Sequence, residues 1–509
     1  MSEPTPPGRF VPLAIVVLAV LYALALGAGW PQYGTQAIIG QQAHHGEAAA
    51  TIAAPPLWTV IPFVLMLGAI AVLPLVPAAH HWWESNRSKL IVSGGLALVA
   101  LAYYAFLHDA ALEGHWPAHH LVSPGEGVFH GGFVRTILEN AILQEYVPFI
   151  VLLFSLYTIS GGIRIEGDLQ ADPLTNAAFM AAGAVLASFI GTTGAAMLLI
   201  RPLLETNQER KHVAHTVVIF IFIVCNCGGC LLPIGDPPLF LGYLEGVHFL
   251  WTLSLWKEWA LVNALLILTY VVIDRAFYYH RETIRDIERD IEQIGRLRIS
   301  GWKLNVPLLV GVVLAVALLD PSKPFVGTDW HPWMFLRELV QLGLVAISLW
   351  CGERAIREKN LFNFGAIMEV AALFVGIFIC MQPALQILSV RGHELGIDSP
   401  QKFFWATGVL SSLLDNAPTY LVFFKTAQAM PHADGAVLEA GVEHANLVAI
   451  SLGAVFMGAM TYIGNGPNFM VKAIAESSGV KMPSFFGYMV YSLAILLPIF
   501  ALCVWLFLM

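Results

Sequence analysis

The sequence predicts an all-α polytopic membrane protein with about 11 transmembrane helices and two re-entrant hairpins, arranged as two inverted repeats. The first observation is composition, because 57% of the 509 residues are hydrophobic and 12% are charged, whereas roughly a quarter of the residues in soluble domains are charged. The second is that the apolar residues cluster in runs of roughly 20, the length that crosses a bilayer as a helix. The third is a pair of motifs, a turn sequence at 191–194 and an interrupted apolar run at 234–238. Corresponding motifs occur in the second half of the chain, at 415–418 and 463–467.

The apolar runs form two groups separated by a hydrophilic linker at 280–300. For the first run, at 10–28, we favour a retained membrane helix over a cleaved signal peptide. Further runs occur at 57–76, 90–107, 142–159, 174–204, 213–243 and 260–277 before the linker, and at 304–319, 333–350, 367–388, 403–424, 445–470 and 486–509 after it. Arginines and isoleucines of the linker recur at helical spacing, which predicts an amphipathic helix on the membrane surface or a solvated connector.

The run at 213–243 is interrupted by Ile-Gly-Asp-Pro-Pro at 234–238. A helix cannot continue through Pro237 and Pro238, because proline lacks a backbone N–H and clashes with the preceding turn. The interruption leaves Asp236 at membrane depth, where broken backbone is tolerated only beside a cavity and a charge costs roughly 3 kcal/mol. The motif therefore predicts either a structural hydrogen-bonding centre or an ion or substrate site.

A second copy of these features follows the linker. One constant offset in residue number pairs Glu145 with Glu369, Ser188 with Ser412, and Gly191-Thr192-Thr193-Gly194 with Asp415-Asn416-Ala417-Pro418. With five residues inserted, Ile-Gly-Asn-Gly-Pro at 463–467 falls on the interruption at 234–238. Secondary transporters are commonly built from two such copies that meet at a midplane site made of discontinuous helices.

The basic residues test whether the copies are inverted. If 174–204 and 403–424 are re-entrant hairpins, the two copies have opposite orientations, although paired short helices would give the same sequence pattern. Assigning the linker to the cytoplasm then places most of the 26 Lys and Arg residues inside, as the positive-inside rule requires. We expect an integral protein of a bacterial inner membrane with a cytoplasmic N-terminus and an external C-terminus.

The turn sequences and interruptions contain the candidate binding residues. Half-helices leave backbone N–H and C=O groups unpaired at membrane depth. The carbonyl and side-chain oxygens are suitable ligands for a hard cation such as Na⁺. The N-termini of the half-helices favour an anion instead. Asp236 and Asp415 are the candidate carboxylates for sodium or a proton. The neutral candidates are Thr192, Thr193, Gly194, Asn226, Gly235, Asn416, Gly464 and Asn465. Glu145 and Glu369 are candidate proton carriers or caps of the broken helices. A purely structural hydrogen-bonding role is the alternative for each.

Three classes of function fit a polytopic membrane protein. Two non-identical halves without a filter-like ring disfavour an ion channel. The sequence contains no H-E-x-x-H, G-x-S-x-G or Walker pattern, which disfavours a membrane enzyme and ATP drive. We therefore expect a secondary transporter of a small ion or small molecule, coupled to sodium or protons. We expect no other cofactor and no nucleic-acid partner.

The loop at 108–132 contains five histidines. Their density suggests metal binding, but their spacings match no standard zinc motif and glycines and prolines interrupt the loop. We therefore expect a solvated loop.

The segments 188–202 with 226–240 and 412–420 with 458–468 resemble the ion transporter superfamily, and most of all its citrate transporter and sodium/proton antiporter branch. The resemblance covers nearly the whole chain. It implies a homodimer in which a transport domain moves against a scaffold in an elevator-like cycle. The implied scaffold is 1–140, 256–366 with the cytoplasmic linker 280–300, and 486–509; the implied transport repeats are 141–255 and 367–485.

The resemblance also bears on the substrate. The dicarboxylate branch has Ser-Asn-Thr at both hairpin turns, whereas this chain has Gly-Thr-Thr-Gly and Asp-Asn-Ala-Pro. The departure weakens the case for dicarboxylate recognition, and Asp236 and Asp415 favour sodium/proton antiport. The alternative is a sodium- or proton-coupled transporter of citrate or a dicarboxylate.

Overall fold

The structure is a computed structural model, and the residues that it describes are 10–42, 53–125, 127–167, 169–282, 298–432 and 435–509. Within these residues the chain is mainly helical, and its short strands form three two-stranded antiparallel sheets. The predicted all-α class is therefore confirmed. The amphipathic helix predicted for the linker falls mostly on 283–297, which lies outside the described residues.

Helix length and composition identify an integral membrane protein. Six helical stretches of the described residues can cross a bilayer: Phe10–Gly27, Asn86–Phe106, Gly131–Ser160, Pro173–Ile190, Trp251–Arg281 and Phe485–Phe507. Gly365–Cys380 and Gln382–Leu395, bent by 42° at a short break, together form a seventh candidate. Shorter apolar helices occupy Leu57–Val72, Ala214–Cys230, Trp302–Leu318 and His444–Met460. The predicted count of about 11 spans with two re-entrant hairpins stays a prediction.

By packing, the chain divides into two compact units, of which the first is Met1–Ile159 with Leu304–Leu395. Its helices are α1 (Phe10–Gly27), α2 (Trp30–Gln42), α3 (Ile61–Val72), α4 (Pro77–Trp83), α5 (Asn86–Phe106), α6 (Gly131–Leu138), α7 (Val147–Ser160), α13 (Trp302–Leu318), α14 (Leu336–Cys351), α15 (Arg354–Lys359), α16 (Gly365–Cys380) and α17 (Gln382–Arg391). A π-helix, Glu139–Tyr146, joins α6 to α7. The loop at 108–132 contains a hairpin of β1 (Leu112–Gly114) and β2 (His120–Val122).

Small residues bring α5 and α16 of this unit into close contact. The hydroxyl of Ser93, which is fully buried, donates to the Ala372 carbonyl at 2.6 Å. A Cβ added at Gly376 would lie 2.6 Å from the Ser93 carbonyl oxygen. Small residues at helix contacts allow this approach, which drives helix association where the lipid is as apolar as the side chains.

Gly376→Ala is therefore expected to destabilise the protein by about 1–3 kcal/mol, since the methyl group must displace backbone rather than a flexible side chain. Thermal unfolding of purified protein in detergent measures the effect. Gly343→Ala is the matched control, because Gly343 is also inside a helix and has no atom within 4 Å of an added Cβ. An unchanged melting temperature for Gly376→Ala would show that the two helices do not pack this closely.

The second unit is Ser160–Lys303 with Gly396–Met509. Its helices are α8 (Pro173–Ile190), α9 (Thr192–Thr206), α10 (Ala214–Val224), α11 (Pro237–Leu244), α12 (Trp256–Ile273), α18 (Pro400–Leu413), α19 (Asn416–Gln428), α20 (His444–Met457), α21 (Gly466–Ser477) and α22 (Phe485–Phe507). Its strands pair as β3 (Arg164–Glu166) with β4 (Arg298–Ser300), and as β5 (Leu438–Glu439) with β6 (Val442–Glu443). The predicted scaffold and transport segments are functional divisions that packing does not test, and they stay a prediction. By packing, 141–159 and 367–395 belong to the first unit, and α12 and α22 belong to the second.

One order of elements occurs twice in the second unit: two helices joined by a tight turn, then two helices separated by a break that consists of a short 3-10 helix and irregular backbone. The first tip is residue 191, the second tip is 414–415, the first break is 225–236, and the second break is 458–465. Gly191 connects α8 directly to α9 with φ 78°, a value that favours glycine. Pro237 begins α11, where a proline costs no hydrogen bond because the first N–H of a helix has no partner inside the helix.

The second tip is one residue longer than the first, which changes one predicted pair. Ser188 donates to the Gly228 carbonyl at 2.6 Å, so α8 is anchored to the first break. In the second copy the hydroxyl of Ser411, not that of Ser412, bonds to another helix, by donating to the Ala454 carbonyl at 2.7 Å. Ser412 donates to Val409 within its own helix. By this contact, Ser188 corresponds to Ser411, one residue before the serine that the constant offset in residue number assigns to it.

Candidate functional site

Both tips and both breaks meet at the carboxylate of Asp236, within the second unit. Asp236 precedes α11 in extended conformation and is 1% exposed. Its side chain makes no capping hydrogen bond to the helix that it precedes. Both carboxylate oxygens therefore bond to side chains from other elements.

Three neutral side chains donate to this carboxylate. Oδ1 accepts from the Thr192 hydroxyl at 2.9 Å and from the Asn465 amide at 3.1 Å. Oδ2 accepts from the Asn416 amide at 2.7 Å. Thr192 follows the first tip, Asn416 follows the second tip and Asn465 ends the second break. The structure thus brings together four of the residues that the sequence predicted.

Two further asparagines support the breaks. Asn226 donates to the Ile221 carbonyl at 3.0 Å and to Asn468 Oδ1 at 2.8 Å. Asn468 in turn donates to the carbonyls of Gly458 and Thr461, each at 2.9 Å. The bonds from Asn468 satisfy two carbonyls of the second break, where the helix stops, whereas the Ile221 carbonyl also accepts from the Cys225 N–H at 3.2 Å. Asn226 therefore has the stabilising contacts expected beside a break.

Asn468 was not predicted from the sequence. It lies in the first turn of α21, is fully buried, and connects the two breaks through its bond to Asn226. The signal that marks it is an amide directly after Gly466-Pro467 in an otherwise apolar segment. The repeat alignment does not reveal it, because the corresponding residue of the first copy, Leu239, is apolar.

Asp415 has a different local role from Asp236. Its Oδ1 accepts from the Ala417 N–H at 3.1 Å, so it caps α19, and its carbonyl accepts from the Thr419 hydroxyl at 2.9 Å. No hydrogen bond joins the Asp415 and Asp236 carboxylates within the part of the chain that the structure describes. The two predicted acids are thus one helix cap and one centre of a side-chain cluster.

Among the other predicted residues of the tips and breaks, Gly235 and Gly464 make backbone hydrogen bonds. The Gly235 carbonyl accepts from the Thr192 N–H at 2.8 Å, which joins the first tip to the first break. Gly464 donates its N–H to Thr461 Oγ1 at 3.1 Å. An added Cβ at Gly194 would lie 3.3 Å from Ser160 Oγ. Thr193 is in the first turn of α9, and no contact with Asp236 is described for it.

The site combines one carboxylate with neutral polar groups. Among the described residues, no lysine or arginine contacts the Asp236 carboxylate. The Asn416 side chain is fully buried, and its Oδ1 receives no hydrogen bond from any described residue. A buried carbonyl oxygen without a donor costs desolvation free energy, and it is also a ligand that a hard cation accepts. The Asp236 carboxylate therefore supplies a negative charge, and the Asn416 amide that is bonded to it supplies an oxygen without a hydrogen-bond donor.

The family model described as "Putative citrate transport" matches residues 52–124 and 120–508. The chain belongs to this citrate transport family. The resemblance seen in the sequence is confirmed, and the protein is a membrane transporter with the bilayer as its surroundings and a small-molecule substrate. The comparison with curated proteins found no match.

The two candidate proton carriers of the transporter lie in the first unit. Glu145 is buried in the π-helix, where its Oε1 accepts from the Gln382 amide at 3.2 Å. Glu369 forms a 2.8 Å ion pair with Lys89, whose side chain is 5% exposed. A buried lysine requires such a partner, so the ion pair gives Glu369 a structural role in addition to the predicted one. Proton transfer by Glu145 and Glu369 stays a prediction.

Proposed function

We propose that this transporter exchanges sodium for protons and that Asp236 binds the coupling ion. The observation that carries the proposal is the Asp236 carboxylate, which is buried among hydroxyl and amide groups without a basic partner in the described cluster. Neutral oxygen ligands with one carboxylate suit a hard monovalent cation, whereas a tricarboxylate anion requires basic groups or many N–H donors.

Competition at one carboxylate is sufficient for exchange. Thr192, Asn416 and Asn465 each donate hydrogen to the carboxylate and each keep an oxygen that can face a cation. Protonation of Asp236 removes the negative charge that attracts Na⁺, so the two ions exclude each other. If the site crosses the membrane loaded with either ion but not empty, exchange follows without further machinery.

The same proposal covers the larger assembly. In accord with the resemblance, the tips and breaks would belong to a transport domain that moves in an elevator-like cycle within a homodimer. We also propose that the protein consists of two inverted repeats and lies in a bacterial inner membrane with its N-terminus in the cytoplasm. This proposal is supported by the repeated order of helices in the second unit and by the bias of the basic residues.

The alternative function is sodium- or proton-coupled transport of citrate or a related anion. It is favoured by the description of the family to which the chain belongs. In this alternative Asp236 still binds the coupling cation. The anion would lie at the N-termini of α11, α19 and α21, where the helix dipoles favour negative charge.

Ion fluxes in everted membrane vesicles distinguish the two functions. Vesicles with the protein are expected to lose an imposed proton gradient when Na⁺ is added, and vesicles without it are expected to keep the gradient. A parallel measurement follows labelled citrate with and without a sodium gradient. Sodium-dependent citrate uptake without any sodium-induced pH change would reject antiport and support the alternative.

Asp415→Asn tests whether the second carboxylate participates. Asparagine caps helices about as well as aspartate, so the substitution removes the charge while it preserves the cap of α19. The concentration of Na⁺ that gives half-maximal exchange is expected to rise at least about tenfold, which corresponds to about 1.4 kcal/mol. An unchanged half-maximal concentration would restrict Asp415 to its capping role.

A further inference from the structure

A cluster of two histidines and one carboxylate lies on the β1–β2 hairpin of the first unit. One ligand atom each from Glu113, His115 and His119 lies within 4.8 Å of the other two. The Nδ1 atoms of the two histidines are 3.2 Å apart, and His119 Nδ1 is 2.8 Å from Glu113 Oε1. The hairpin therefore brings together three side chains whose sequence spacing matches no standard zinc motif.

These distances resemble those between the ligands of one metal ion. With metal–ligand bonds of about 2.0–2.1 Å, the ligand atoms of a tetrahedral zinc site lie about 3.3 Å from one another. The His115–His119 separation of 3.2 Å is close to that value, and the Glu113–His119 separation of 2.8 Å requires only a small expansion. A cation between the two rings would bind both nitrogen lone pairs and the carboxylate.

The side chain of Asn140 holds the backbone of Glu113 and His115 in place. Asn140 is 2% exposed and belongs to the π-helix after α6. Its Oδ1 accepts from the His115 N–H at 2.7 Å, and its Nδ2 donates to the Glu113 carbonyl at 3.0 Å. One buried amide thus holds two of the three ligand positions, and such support is what keeps a metal site in a productive geometry.

We propose that Glu113, His115 and His119 bind one divalent transition-metal cation of the zinc class. Imidazole and carboxylate ligands suit Zn²⁺, Co²⁺ or Ni²⁺, whereas Mg²⁺ and Ca²⁺ prefer oxygen ligands alone. Three protein ligands leave a coordination position for water or a small anion. The site belongs to the first unit, whereas Asp236 belongs to the second, so this proposal does not depend on the proposed transport function.

Calorimetric titration of the purified full-length protein with ZnCl₂ tests the proposal. The purification tag must contain no histidine, since 17 histidines are already present in the chain. The wild type is expected to show a site of one-to-one stoichiometry, and Co²⁺ in its place is expected to give the visible absorption of tetrahedral cobalt. His119→Gln and Glu113→Gln are each expected to weaken this site by more than about tenfold.

His393→Gln is the matched control, because it removes an exposed histidine of the same unit that is outside the cluster. The control should bind Zn²⁺ like the wild type, and all variants should have the wild-type melting temperature without metal. Zinc should raise the melting temperature of the wild type and of the control only. Equal zinc affinity in the cluster variants and the wild type, or no one-to-one site in the wild type, would overturn the proposal.

Discussion

Replacing Asp236 by asparagine is expected to abolish sodium-dependent proton exchange and to leave the protein folded. Asparagine has nearly the same shape, but it cannot bind a proton or neutralise a cation. Thr192 can rotate its hydroxyl and Asn416 can turn its amide to accept from the new N–H, so the cluster can remain hydrogen bonded. Sodium affinity is expected to fall by at least about 100-fold, equivalent to about 2.7 kcal/mol. The pH change in everted vesicles upon Na⁺ addition measures this loss.

Asp398→Asn is the matched control for Asp236→Asn. Asp398 is an aspartate of the same unit, exposed to solvent and paired only with Lys402 in the described contacts. The control is expected to exchange ions like the wild type. Full sodium-dependent exchange by Asp236→Asn, at wild-type protein levels, would reject Asp236 as the coupling site. The pH dependence provides a second test: the half-maximal Na⁺ concentration should rise as the pH falls, because protons compete for the same carboxylate.

The largest stability effect is expected at Asp274, after the C-terminal end of α12. Its carboxylate is fully buried and accepts from both terminal nitrogens of Arg210, from His215 Nε2 at 3.0 Å, and from the Tyr270 hydroxyl at 3.0 Å. Removing one partner of a buried ion pair leaves an uncompensated charge and costs about 3–5 kcal/mol. Asp274→Asn should therefore lower the melting temperature of the purified protein strongly.

The same substitution separates stability from ion binding. No residue of the Asp274 network contacts Asp236 in the described hydrogen bonds, so protein that remains folded should keep the wild-type half-maximal Na⁺ concentration. Asp398→Asn again serves as the control, because the Asp398 ion pair is exposed to solvent and contributes little. A melting temperature equal to that of the wild type would show that this ion pair is not buried in the folded protein. A changed sodium dependence would show that the network belongs to the transport site.

The sequence predicted the tips and breaks because their causes are local. Proline cannot continue a helix, glycine tolerates the positive φ found at Gly191, and an isolated acid in an apolar run is conspicuous. Such effects depend on a few neighbouring residues, so they can be predicted from a single sequence. The pairing of Ser188 with Ser412 was wrong, because the second tip is one residue longer than the first. That difference depends on where each helix ends, which the sequence pattern does not give.

The sequence did not predict which residues far apart in the chain form hydrogen bonds with each other. The bond from Asn416 to Asp236 joins residues separated by 180 positions, and the bond between Asn226 and Asn468 spans 242. The pairing of Arg210 with Asp274 and the convergence of Glu113 with His115 and His119 likewise depend on the path of the backbone. For the histidine loop, the sequence predicted a solvated loop, and the pairing of β1 with β2 is what the structure adds.

By itself the sequence determined the membrane class, the two copies of tip and break, and the acids worth testing, because composition and helix-breaking chemistry act through local free energies. Only the tertiary structure decided which acid is the centre of a cluster and which is a cap. Asp236 and Asp415 look equivalent as isolated carboxylates, but Asp236 receives donors from three other elements whereas Asp415 bonds to its own helix. That difference arises from packing between segments far apart in the chain, and no local pattern encodes it.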